Sequence, residues 1–592
     1  LKKLLLISAF LLASGAFQAQ APGTASAADE PGKLDSDPVV IDLDTELKRS
    51  LDKLKNAGKA PLYFLAYRLY EGTWDNISAS DGCLDDREPR SAWRMSSVDL
   101  RVGSPHFDNS HYLRADKSSA PPAFDRSSKH DSILPTHGAG LPLRQAFWLK
   151  TSDTFKDAQT RYQALLASKD VLAEEDDKSA DFSLQPRQTY YRKETEQKVD
   201  RPAWEERIRR LSRIFLEHPR IQTSEVSFDA RPTTRYMVTS EGSRIVEHQP
   251  LYRVSIKASS LSDDGMNLWL WDSFASRDID KLPDESVLSE SIKRLADKVD
   301  QLREAGTAEP YVGPAILSGR AAAVFFHETF GHRIEAIHEK NESEGKTFSK
   351  KIGTQVMPSF LTVRDDPTAT EAHGTELSGH YVYDDEGVRG QPVTLAKNGK
   401  LTGFLLGRML VQGFNESNGH GRSSPGWNPM ARQSNLFVHA DAEGGHQVEP
   451  DVLRKMLIEE AKRQKKDYGL YFDEVSGGYT YTSRGSEQTY SILPLVVYKV
   501  YVDGRPDELI RGVDIVGTPL SSLEHIVAAG TDYAVFNGVC GRESGPVPVS
   551  AVAPSLLIDS IEIKRTAKTF EKPPILPDPT KSAAPEPKET DE

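Results

Sequence analysis

Ala321-Ala322-Ala323-Val324-Phe325-Phe326-His327-Glu328-Thr329-Phe330-Gly331-His332 is an apolar run that leads into two histidines and a glutamate. Burying a carboxylate beside two imidazoles in such surroundings is costly unless a cation compensates it. The common zinc-protease pattern sets its histidines four apart, one turn up the same helix face. Here they are five apart, which on a regular helix rotates the second by about 140° from the first. Both reach one ion only if the helix widens into a π-bulge or ends near Gly331, where glycine eases the distortion. Spacing alone also allows a helix with two unrelated histidines and a surface glutamate.

Before this stretch, Leu288, Ile292, Leu295, Val299 and Leu302 repeat at spacings of four and three. They predict a helix from about residue 284 to 302, started by Pro283-Asp284 and stopped by Gly306. After residue 350 the pattern turns to strands. Asn398-Gly399 between two apolar runs predicts a hairpin, Asp503-Gly504 a longer one, and Pro450 to Arg463 a helix. Residues 42–280 mix signals: a helix near Leu47–Leu54, a strand-like run from Leu62 to Tyr67, and a charged helix-leaning stretch over 142–217. Strand signals return at Tyr236–Val238 and Leu251–Ile256. The whole predicts an α+β protein. Its α/β N-terminal domain (42–280, with an insertion around 120–220) precedes helices over 281–345 and a mainly β C-terminal domain over 346–570.

At 592 residues the chain is too long for one ordinary domain. A net charge of -13 argues against a nucleic-acid partner, because counter-ion release needs a basic face. No long apolar run follows the first twenty-odd residues, so no membrane span is expected there. Lys2 and Lys3 precede an uncharged stretch from Leu4 to Phe17, and Ala25-Ser26-Ala27 offers a cleavage site. Residues 1–27 therefore read as a signal peptide, which places the mature chain in the periplasm or outside the cell. Residues 28–41 read as a linker, and 571–592, rich in Pro, Lys and Glu, as a disordered tail. In an oxidising compartment the two cysteines, Cys83 and Cys540, read as one disulfide.

His327-Glu328, with His332 and then Arg333-Ile334-Glu335, resembles the TldD/PmbA family of zinc metallopeptidases, in its zinc-bearing TldD branch. Further similar blocks follow in order: Phe348 to Gly353, Asp384-Asp385-Glu386-Gly387, Asn398-Gly399-x-Leu401-x-Gly403, Asn418 to Arg422, and Pro429-Met430-x-Arg432-x-x-Asn435. Gly538-Val539-Cys540-Gly541 and Val547-Pro548-Val549 complete the series. The likeness is clear from about residue 225 to 565 and faint before that. It departs at Ala336-Ile337, where the family usually has Gly-Asp, and within Thr482–Gln488.

The resemblance implies that Cys540 is a third metal ligand beside His327 and His332, in competition with the disulfide reading. Two histidines and a thiolate suit Zn²⁺, one per chain, and leave a fourth position for water. Glu328 would then act as catalytic base. Glu335 would orient a ligand histidine, while His338 is read as structural. His420, Arg422 and Arg432 are candidates for binding the substrate backbone or carboxylate. The expected activity is hydrolysis of small or unfolded peptides, by a homodimer or a heterodimer with a PmbA-like subunit. The competing expectations are an inactive scaffold subunit and a zinc amidase acting on a non-peptide substrate.

Overall fold

The strand-like run at Leu62 continues to Ser80 and becomes the spine of the N-terminal sheet. Its near-continuous apolarity follows from burial on both faces. Leu65, Tyr67 and Leu69 meet Val39, Val40 and Leu43 of the helix Pro38–Leu54, while Phe64 and Ala66 point the other way, towards Tyr383. Arg68 and Tyr70 continue that second face and bond Asp385. This is the period of two expected of a strand. The computed structural model describes residues 31–85, 90–112, 134–169, 177–193, 197–341, 344–441 and 444–566. The signal-peptide and tail readings lie outside the described residues, and of the expected linker residues 31–41 are described.

Ten strands form the first sheet. Leu62–Ser80 pairs with Ser91–Ser104 on one edge. On the other it pairs first with Thr233–Thr239 and then with Thr223–Ala230, changing partner near Gly72. All these pairings are antiparallel; Thr189–Arg192 alone among the described strands joins this sheet in parallel, against Arg244–Gln249. Helices Pro38–Leu54 and Leu141–Lys169 pack on one part of it, and Arg201–Ser212 with Glu285–Glu304 on the other. The predicted stripe Leu288, Ile292, Leu295, Val299 and Leu302 is the buried face of the last helix. Two boundaries differ from expectation. Helix begins at Pro38, inside the expected linker, because Asp37 accepts hydrogen bonds from Val39 N and Val40 N and Pro38 needs no donor partner.

Thirteen strands form the second sheet, built around Gly545–Arg565. That strand pairs with Tyr311–Leu317, Asn435–Ala440, Val513–Gly517 and Ile526–Arg542. The second unit therefore starts near Gly306 rather than 346, because the strands at 306–307 and 311–317 belong to its sheet. The Asn398-Gly399 turn has the positive φ values (49° and 75°) that its sequence announces. Helix Pro450–Arg463 has the expected bounds. The two units are joined through Asp384 and Asp385: buried Arg235 reaches Asp384 O at 2.9 Å and Asp385 Oδ1 at 2.6 Å, and also pairs with Glu247 at 2.7 Å.

Candidate metal centre

Ser318 ends the strand Tyr311–Leu317 and caps the helix Gly319–Thr329, its hydroxyl accepting from Ala321 N at 3.2 Å. Phe325, Phe326 and Phe330 are fully buried, each fixing the helix by about 1.5–3 kcal/mol of apolar burial. The helix does not widen. It stops at Thr329, and a 3₁₀ turn over Gly331–Arg333 carries His332 back towards His327. The two imidazoles stand edge to face with centroids 4.8 Å apart. Gly331 lets the Gln433 carboxamide pack directly against the turn, since an added Cβ would displace that side chain.

The third group arrives from the far end of the chain. Cys540 lies near the end of the strand Ile526–Arg542, with Sγ 3.3 Å from His332 Nε2. One donor atom from each of His327, His332 and Cys540 lies within 4.8 Å of the others. Both cysteines are free, Cys83 being exposed at the edge of the first sheet, so the disulfide reading is overturned. Burial would raise the Cys540 thiol, but the His332 imidazole and the Arg432 guanidinium hold it below its ordinary value.

Glu335 is completely buried and takes a hydrogen bond from His332 Nδ1 at 3.2 Å, which leaves Nε2 directed at the cluster. Burial would raise its pKa, yet His332, His338 and Arg432 around it keep it well below the usual carboxylate range. Glu328 is the opposite case. It is buried beside the cluster, Oε2 accepts no hydrogen bond, and the carboxylate stands 3.9 Å from His332 Nε2. Burial, only partly offset by His327, Arg333 and Arg542, raises its pKa. An unpartnered buried carboxylate next to three converging donors is an arrangement that proton transfer or cation binding would compensate.

Residues 310–565 match the PmbA/TldA metallopeptidase C-terminal domain. The chain carries a PmbA/TldD family domain. A metalloprotease of Methanothermobacter thermautotrophicus is 25% identical over 57% of this chain and 69% of its own length. A zinc metalloprotease TldD homolog of Saccharolobus solfataricus is 26% identical over 42% of this chain, which spans about half (51%) of that relative. In fold, TldE from Thermococcus kodakarensis superposes with a TM-score of 0.56 at 13% identity, covering 88% of this chain and 99% of its own. The relatives of this PmbA/TldD domain are thus named metalloproteases, and the mixed helix-and-strand fold is shared.

The remaining candidates in the PmbA/TldD domain are buried and hydrogen-bonded within the protein. Arg432 is fully buried and donates to Cys540 O at 2.7 Å, Ser544 Oγ at 2.8 Å and Gly545 O at 3.1 Å, with Nε 3.5 Å from Glu335. It braces the backbone of the cysteine. His420, also fully buried, bonds Asp365 at 3.2 Å and Asn418, and is likewise internal. Arg422 donates to Gln433 O at 2.5 Å. His338 is buried between Glu344 and Arg542.

Four residues near the cluster carry roles that spacing did not signal. Arg333 donates to Glu328 O, Thr480 Oγ1, Tyr481 O and Gln488 O, tying the 480–489 loop to the helix end. Gln433 fills the space that Gly331 leaves. Gly478 leaves room for Glu328, whose Cγ would lie 2.7 Å from an added Cβ. Arg542 links His338 to Thr482. An arginine beside a histidine in an apolar context, as at Arg333, was the one available hint. Among the described residues no helix is long and apolar enough to cross a membrane.

Proposed function

We propose that the protein is a zinc-dependent peptidase that hydrolyses small or unfolded peptides, with His327, His332 and Cys540 as ligands and Glu328 as general base. The observation that carries this reading is the convergence of three donor atoms within 4.8 Å beside a buried carboxylate oxygen that accepts no hydrogen bond. The donor set fits the ion. Tetrahedral zinc, with bonds of about 2.1 Å to nitrogen and 2.3 Å to sulfur, separates such ligands by about 3.6 Å. The Cys540–His332 separation of 3.3 Å is close to this. Bound there, zinc supplies Lewis-acid polarisation of a peptide carbonyl and makes water more acidic.

The chain's own groups do the rest. Glu335 fixes the His332 tautomer and ring orientation. Arg333 holds the backbone of Glu328 and the loop beyond Thr480 together. Glu328 takes a proton from the attacking water and passes it to the leaving amine. Burial of Glu328, His332 and Cys540 favours flexible peptides over folded proteins, whose backbone would not reach the cluster. The working unit is a homodimer or a heterodimer with a PmbA-like subunit, and the chain is exported through residues 1–27.

Elemental analysis of the purified chain tests the reading, with about one zinc per chain and an unmodified Cys540 thiol expected. Glu328→Gln should keep the zinc and lose roughly 10²–10⁴ in turnover on a peptide mixture. Normal turnover in that variant would remove the general-base role. Absence of zinc after reconstitution would return the inactive-scaffold reading, and cleavage of cell-wall fragments without cleavage of peptides the amidase one.

A further inference from the structure

A cavity of about 640 Å³ opens between the first sheet and the second unit, and none of the three donor residues lines it. Its size suits an organic ligand, for which sites span about 300–1,000 Å³. The cavity is nonetheless close to the cluster. Arg422 in its wall bonds Gln433, whose Nε2 lies 3.4 Å from His327 O, and Val547 in its floor is the cross-strand partner of Cys540.

Its charge runs against that of the whole chain. The net charge is -13, yet six arginines and Lys281 line the cavity against five carboxylates. Those carboxylates already have donors. Glu376 accepts from Ser276 and twice from Arg277, Glu247 from Arg235 and Val382 N, and Asp385 from Tyr70, Arg235 and Ser423 N. Asp384 accepts three backbone N–H groups, and Asp278 accepts from Gln197 and Asp280 N.

Arg235 and Arg277 are among those donors, and the guanidinium groups of the lining also act on one another. Burial depresses the pKa of Arg277 and Arg253; Glu376 offsets part of this for Arg277, and a second guanidinium lowers each further, Arg192 the former and Arg231 the latter. His380 is driven down to about 4 by burial and then by Arg277 and Arg192. Arg253 sits opposite Ala275, two residues before Arg277, so both guanidinium groups belong to one wall. Like charges gathered in a half-buried space repel, and a bound anion relieves that repulsion through charge-assisted hydrogen bonds.

We propose that this cavity binds an acidic oligopeptide, its carboxylates on Arg192, Arg253 and Arg277, independently of the metal centre. A peptide matches the lining better than an inorganic anion. Tyr70, Tyr381, Pro250 and Pro425 stand among the arginines and offer apolar faces to a chain, and the volume far exceeds that of a phosphate ion.

The test is calorimetric titration of the full chain, both zinc-loaded and as the metal-free Cys540→Ser variant. The probes are an N-acetylated Glu-Ala-Glu-Ala peptide, its Gln-Ala-Gln-Ala counterpart and inorganic phosphate. The acidic peptide should bind at least tenfold more tightly than the neutral one, equally with and without metal, and equimolar phosphate should not displace it. Arg192→Gln and Arg253→Gln should each weaken binding by about tenfold or more. Melting curves identify whichever variant is folded, and either one suffices. Equal affinity for the two peptides, or wild-type affinity in a folded arginine variant, overturns the site. Displacement by phosphate overturns the peptide class, and loss of binding with the metal overturns its independence. Because binding is read in a metal-free chain, failure of the peptidase reading leaves this result distinguishable.

Discussion

Arg432→Met replaces a fully buried guanidinium by a side chain of similar length that can neither donate nor carry charge. The arginine holds Cys540 O, Ser544 Oγ and Gly545 O at 2.7–3.1 Å and stands 3.5 Å from Glu335, itself completely buried. Removing one partner of a buried ion pair costs about 3–5 kcal/mol. The three lost hydrogen bonds fall within that figure, since effects inside one network do not add. In domains of about 150–250 residues 1 kcal/mol moves Tm by about 2–4 °C, so the lower rate gives a fall of about 6–10 °C. The same change frees the backbone of Cys540 and alters the carboxylate that orients His332. Loss of such supporting contacts typically costs about 10–100-fold in metal affinity. Thermal melting of the metal-free chain, with zinc affinity measured by chelator competition, reads both effects. Arg432→Lys keeps the charge but loses the planar fork and should fall between wild type and Arg432→Met. A methionine variant that melts within about 2 °C of wild type and binds zinc with unchanged affinity would refute the bracing role.

Glu335→Gln should weaken zinc about 10–100-fold while the fold persists, as chelator competition and circular dichroism would show. Gly478→Ala should retain zinc but lower kcat, because the new Cβ lies 2.7 Å from Glu328 Cγ and 2.9 Å from Ser491 O; unchanged kcat would mean that Glu328 has room to move. Glu344 is held down to about 2: burial would raise it, but the His338 hydrogen bond and charge outweigh that. A depressed carboxylate stabilises the fold above its unfolded pKa and loses that contribution as pH falls through its folded one. Wild type should therefore lose roughly 1–3 kcal/mol more than Glu344→Gln between about pH 4.5 and pH 2, as read from denaturant midpoints on the acid limb. Parallel acid limbs would count against the pairing.

Much of the fold was legible where a local rule decides. Pro450 to Arg463 combines proline at the start with an amphipathic stripe, and Asn398-Gly399 can hardly be anything but a tight turn. The metal helix was legible in composition but not in its ending. Five-residue spacing fits a bulge or a stop equally well, and the choice falls to Gln433 packing on Gly331 and Arg333 gripping the 480–489 loop. Both contacts come from more than a hundred residues away. Cys540 entered through resemblance alone, since nothing in its neighbourhood announces the histidines it meets. Arg432 and His420 look like surface groups in a Gly-rich polar stretch. What buries them is Glu335 and Cys540 O in one case and Asp365 in the other, which no local pattern reveals. The cationic cavity was equally hidden, because its arginines come from separated strands and turns of the first sheet and, at Arg422, from the second unit.

The cysteine that meets His332 is separated from it by 208 residues. On the ligand assignment proposed above, a ribosome must therefore finish almost the whole second sheet before the donor set exists. Until the hairpin bearing Cys540 docks, the chain has two histidines, a glutamate and no hydrolytic centre. Late closure of this kind is slow to form, because a long loop must be ordered before its contact is made. On that assignment, a chain interrupted anywhere before residue 540 lacks the third donor.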